Sequence, residues 1–136
     1  HGIGSEVWSV TSYGELRRIG MQHEREKRFD PGNVSKPYVS ECFGDATPTI
    51  ATSDFISSVP EMIQKWVGGR YVVLGTDGFG RSDSREALRT FFEIDINSIV
   101  IAALSALEQE GLLPPGTVKK EMGNRGISSQ RIDKTE

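Results

Sequence analysis

The sequence predicts an α/β domain, an α/β layer with a mainly parallel sheet. Three observations carry this. Short β-branched and aromatic segments alternate with segments of helical period, the pattern of strand–helix–strand units. Tyr71-Val72-Val73-Leu74-Gly75 is a continuous apolar run with polar or glycine neighbours, as in strands buried on both faces. The chain has 136 residues, 36% hydrophobic and 26% charged, enough for one domain with a core of its own.

Taken in order, Ser5-Glu6-Val7-Trp8-Ser9-Val10-Thr11 reads as the first strand. Ser12 and Glu15 have capping-box spacing, so a helix is predicted from Tyr13 to Phe29. Leu16, Ile19, Gly20 and His23 share its inner face, and Arg17, Arg18, Glu24, Arg25, Glu26 and Lys27 its outer one. Asp30-Pro31-Gly32-Asn33 is a turn, and Lys36-Pro37-Tyr38-Val39 belongs to the loop that follows. Pro48-Thr49-Ile50-Ala51-Thr52 is the second strand. Ser53 or Asp54 then caps a helix to about Val67; Pro60 inside it marks a kink or the true first turn, and Gly68-Gly69 stops it.

After the strand at Tyr71, residues Thr76 to Ser84 form a loop. Asp83 and Glu86 have capping-box spacing for a short helix through Phe91. Asp95 opens the strongest helix, where Ile96, Ile99, Val100, Ala103, Leu104 and Leu107 recur at helical spacing until Gly111 and Pro114-Pro115. Such a wide apolar arc marks a core helix or one packed on a partner domain. A further turn covers Val118 to Met122, and from Gly123 the segment is polar and loose, with only Ile127 and Ile132 to offer a core. The division expected is therefore residues 1–115 as the α/β domain and 116–136 as a polar tail. Three strands is few for such a sheet, so the domain is expected to begin upstream of His1.

Composition narrows the function classes. A net charge of −3 does not suit a general nucleic-acid binder. The longest apolar run, Ile99 to Leu104, is far short of the about 20 residues that span a bilayer. The opening His1-Gly2-Ile3-Gly4 has neither a start methionine nor a signal-peptide pattern and reads as a point inside a longer polypeptide. A single cysteine, Cys42, allows no internal disulfide and fits a reducing compartment, so the expected location is the cytoplasm.

The best candidate for chemistry is the glycine-rich loop. Gly75-x-x-Gly78-x-Gly80 matches neither the dinucleotide fingerprint nor a P-loop. It nevertheless joins a strand to a helix, where open α/β sheets place ligands. Arg81 and Arg85, with Ser82 and Ser84 at a helix start, could hold an anion. Equally, this is a tight turn whose arginines pair with Asp77, Asp83 or a neighbouring subunit. Asp77, Gly78, Gly80, Arg81, Ser82 and Arg85 are thus candidates for an anion site or for a contact between domains or subunits.

Other groups point to structure rather than catalysis. His23 lies on the inner stripe of its helix, and Cys42 has no histidine close in sequence to activate it. There is no C-x-x-C, H-x-x-x-H or EF-hand loop. Trp8 and Trp66 read as core or interface anchors. No residue is assigned to catalysis, cofactor binding or a metal.

Residues Tyr71 to Arg89, with the string Leu74-Gly75-Thr76-Asp77-Gly78-Phe79-Gly80-Arg81-Ser82-Asp83-Ser84-Arg85, closely resemble the segment near the end of homodimeric, thiamine-diphosphate-dependent pyruvate dehydrogenase decarboxylating components. Phe91 to Asp95 and on to Leu104, Ser5 to Leu16, Glu24-Arg25 and Ala51 to Asp54 are similar to other parts of that family. The likeness runs from about Gly2 to Leu112, and the tail after Pro115 departs from it.

The resemblance implies the transketolase carboxy-terminal fold, a three-layer sandwich whose mainly parallel, mixed sheet is flanked by helices, the third domain of such enzymes, here lacking its first strand and helix. It implies a parent enzyme that decarboxylates pyruvate and reductively acetylates a lipoyl carrier, with thiamine diphosphate and magnesium held by other domains. The Gly-Asp-Gly segment that binds them in such enzymes is absent here. The expected role of this domain is assembly. Its expected partners are the remaining domains, a second subunit and the lipoyl-bearing acyltransferase, with no nucleic acid and no membrane. A stand-alone anion-binding or regulatory module of the same fold, or a domain of transketolase or another 2-oxo acid enzyme, are the alternatives.

Overall fold

The computed structural model describes residues 2–32, 34–45 and 48–128. In chain order the elements are α1 (Tyr13–Phe29), α2 (Tyr38–Phe43), β1 (Thr49–Thr52), α3 (Ser58–Glu61), a 3-10 turn (Gln64–Trp66), β2 (Tyr71–Leu74), α4 (Arg85–Phe91), α5 (Ile96–Gln109) and α6 (Thr117–Arg125). The fold is α/β, with a small parallel sheet. β1 and β2 pair with Thr49 opposite Tyr71 and Thr52 opposite Leu74, and α5 packs on both strands.

Local chemistry explains the two long helices. Ser12 Oγ accepts from the Glu15 amide at 3.1 Å, capping α1. The capping box is only half made, because the Glu15 carboxylate turns instead to Arg18, at 2.6 and 2.9 Å. Asp95 Oδ1 caps α5 through the Ser98 amide at 2.8 Å. Gly111, at φ +74, ends that helix in the left-handed conformation that glycine adopts without penalty.

One core forms where α1, α2 and the 3-10 turn meet β2. Val39, Ile63, Trp66 and Val67 are buried there, with Tyr13, Leu16, Phe43 and Tyr71 packed against them. Gly20 lies so close to the Trp66 indole that a Cβ at that position would sit 2.5 Å from the ring. Desolvation by burial pushes the Tyr71 phenol well above its ordinary range, and its hydroxyl donates to the Pro60 carbonyl at 3.0 Å. Beyond this cluster, Phe92, Ile94, Leu104 and Ala106 are also buried.

Four expectations need correction. Residues 5–11 form no strand among the described residues; a strand needs a ladder partner, and among the described residues none pairs with them. Val7 is 95% exposed. The described sheet therefore has two strands, not three. Second, Tyr38 and Val39 are helical. Pro37 supplies the carbonyl that accepts from the Ser40 and Glu41 amides, and burial of Val39 to 1% holds this short helix down.

Third, the helix expected from Ser53 to Val67 is broken into a turn, α3 and the 3-10 turn. Pro60 sits in the first turn of α3, where its missing N–H costs no helical bond. Fourth, α6 runs past Gly123 to Arg125 before Gly126, at φ +65, ends it. Asn33 of the expected turn and residues 129–136, which include Ile132, lie outside the described residues.

The segment from Arg85 to Gln109 reaches a mean hydropathy of 1.6 over its most apolar window. It is divided by the bend at Glu93 (φ 56) and by the Asp95 cap, leaving α5 at 14 residues. At 1.5 Å per residue that is roughly 21 Å, short of the about 30 Å of a bilayer core.

Candidate functional site

The glycine-rich loop leaves β2 and enters α4, and its first residues are stitched to the turn at residues 53–57. The Ser53 amide donates to the Leu74 carbonyl at 3.0 Å, and the Thr76 amide to the Phe55 carbonyl at 3.0 Å. Thr76 Oγ1 donates to the Asp54 carbonyl at 3.0 Å. Asp77 Oδ1 accepts from the Ser57 amide at 2.9 Å. Gly75 lies within this contact: a Cβ there would meet the Ser57 nitrogen at 2.5 Å and the Phe55 carbonyl oxygen at 2.9 Å.

Past Asp77 the loop turns outward. Gly78 has φ +102, a conformation that disfavours any other residue. Phe79 is 80% exposed, and Gly80, Arg81, Ser82 and Asp83 are exposed after it. The Arg81 guanidinium lies over the Phe91 ring at 4.5 Å from its centroid, a cation–π contact. Stacking occupies the flat face of a guanidinium, and its N–H edge keeps the geometry for a carboxylate or phosphate.

Arg85 opens α4 and is exposed. The cap of α4 is Ser84, whose Oγ accepts from the Ala87 amide at 3.2 Å. Asp83, expected as the cap, accepts from the Ser84 amide instead, at 2.8 Å. A one-residue slip of this kind is easy where three consecutive residues can all cap.

The six candidate residues therefore divide. Asp77 faces inward and fixes the base of the loop. Gly78 makes the turn. Gly80, Arg81, Ser82 and Arg85 lie on the outer side. The loop is a presented edge rather than a pocket. The anchoring partners Ser57 and Phe91 escaped the sequence reading, because no spacing rule links residues 20 or 10 positions apart across a turn.

The other candidates have structural places. Trp66 is buried and its Nε1 donates to Glu24 Oε1 at 3.3 Å. Glu24 also holds Lys65 Nζ at 2.5 Å, and the Lys65 hydrogen bond lowers the Glu24 pKa. His23 is half-buried on α1. Trp8 packs edge-on against Phe43 at 5.2 Å between centroids. Both rings line a groove with Leu16, Tyr38 and Cys42. The Cys42 contact raises the Tyr38 pKa.

Among the described residues no group of three or more His, Cys, Asp or Glu side chains could hold a metal ion.

Comparison with known proteins agrees with this architecture. Residues 1–95 match the family described as the transketolase-like TK C-terminal domain. The chain is 47% identical over 133 residues to the pyruvate dehydrogenase E1 component of Pseudomonas aeruginosa, covering 96% of this chain and 15% of that protein. It is 46% identical over 133 residues to that of Mycolicibacterium smegmatis, covering 96% and 14%. It is 38% identical over 135 residues to that of Escherichia coli K12, covering 98% and 15%. The chain thus spans only a small part of the relatives it matches. With both the family match and the parallel α/β architecture in hand, the chain belongs to the transketolase-like C-terminal domain family.

Proposed function

We propose that this domain is an assembly element of a thiamine-diphosphate-dependent pyruvate dehydrogenase. The parent enzyme decarboxylates pyruvate in the cytoplasm and passes the acetyl group reductively to a lipoyl-bearing acyltransferase. Cofactor and magnesium are held by its other domains, in a homodimer. The observation that carries this is a match of 96% of the chain to about one seventh of an E1 component.

Physical features of the domain support the reading. A two-stranded parallel sheet is marginal alone and is ordinarily flanked by further strands. Val7, Phe79 and Ile96 are 95%, 80% and 77% exposed, a costly surface for a domain standing free. Residues 5–11 have the composition of a strand and, in this reading, pair with a strand of the same protein that lies outside this chain. The outer edge of the loop, at Gly80, Arg81, Ser82 and Arg85, contacts the remaining domains or the second subunit.

The test is carbon dioxide release from pyruvate by the native full-length protein, with and without thiamine diphosphate and magnesium. Release that depends on both supports the reading. Absence of release with both present sinks it.

A further inference from the structure

Helix α6 has little of its own to hold it. None of its residues is fully buried, and among the described residues it packs chiefly on α5. Its N-cap is Gly116, in the left-handed region at φ +89, which has no side chain to cap the helix. The orphan amides of its first turn are satisfied from elsewhere. Glu108 Oε1 accepts from the Gly116 amide and Oε2 from the Val118 amide, each at 2.8 Å. At the far end, Arg125 Nη1 donates to Asn97 Oδ1 at 2.9 Å, near the start of α5.

Glu108 is badly placed for its own helix. It lies in the last turn of α5, where the dipole disfavours a carboxylate, and no basic residue in that turn offsets it. The same carboxylate is well placed for α6, whose N-terminus carries the opposite partial charge. The linker has a left-handed glycine at each end, Gly111 at φ +74 and Gly116 at φ +89. The side-chain hydrogen bonds that tie α6 to α5 thus lie at its two ends, each next to a left-handed glycine, Gly116 or Gly126.

We propose that α6 is a strap latched to α5 by Glu108, which opens as a unit while the rest of the domain stays folded. Such local opening is a low-free-energy event confined to one cooperative segment. The latch is one side chain reaching eight and ten residues along the chain, and its loss frees α6 without loosening α5.

Hydrogen exchange on the native full-length protein tests this. In Glu108→Ala the amides of Glu121 to Arg125 exchange about tenfold faster, the effect of losing a helix cap, while those of Ala102 to Ala106 are unchanged. Glu108→Gln, which keeps one acceptor oxygen but loses the second and the charge, gives a smaller acceleration confined to the same segment. Unchanged α6 exchange in both variants overturns the proposal. So does acceleration of α5 together with α6, which would make the hairpin one folding unit.

Discussion

The carboxylate of Asp77 accepts a hydrogen bond from the backbone amide of Ser57 at 2.9 Å, joining the loop after β2 to the turn after β1. Together with the Thr76 bonds, this makes the base of the glycine-rich loop a continuation of the sheet. Replacing Asp77 by Ala leaves the partly buried Ser57 amide without that acceptor, at a cost of about 1–3 kcal/mol. The expected result is a lower Tm, with faster exchange of the Ser57 amide. An unchanged Ser57 amide would show that water replaces the carboxylate at no cost.

Gly20 is the tightest point of the α1 packing. A methyl group there meets the Trp66 ring at 2.5 Å, and the indole is pinned by Glu24 behind it. Gly20→Ala is therefore expected to destabilise the domain by about 1–3 kcal/mol despite the better helix propensity of alanine. Chemical denaturation reads this directly, and tryptophan fluorescence reports whether Trp66 has moved.

Glu24 gives the core a pH dependence of known sign. Its hydrogen bond with Lys65 holds its folded pKa below the ordinary carboxylate value. The stability it adds is present above the unfolded pKa, about 4.3, and is lost as pH falls through the lower folded value. Its side chain is 39% exposed, so the effect is at most about 1 kcal/mol. Glu24→Gln should lower Tm at pH 7 and match the parent near the acid end of the transition. A gap that persists at acid pH would trace to the Trp66 contact instead.

Arg81 separates folding from assembly. Its contact with Phe91 contributes only about 0.5–1 kcal/mol at an exposed site. Arg81→Ala is expected to leave thermal stability nearly unchanged and to weaken subunit or domain association measured by sedimentation. Loss of stability with association intact would reduce Arg81 to a local support for α4.

Much of this was legible in the chain because it depends on near neighbours. Ser12, Asp95 and Gly111 begin or end helices through groups within one turn of them, and four apolar residues between turn formers are enough to define β2. The string around Gly78 and Arg81 likewise carried the family, since its glycines answer to backbone geometry.

What depended on distant partners was not legible. Residues 5–11 have the composition of a strand, but a ladder is a property of two segments, and among the described residues no second one pairs with them. α2 is too short to show a period and exists because Val39 is buried. Asp83 and Ser84 can both cap a helix, and only the path of the loop chose between them. The sequence by itself determined the family and the local starts and stops; the tertiary structure alone decided that Asp77 faces inward while Arg81 faces Phe91, because both choices rest on contacts closed across the fold.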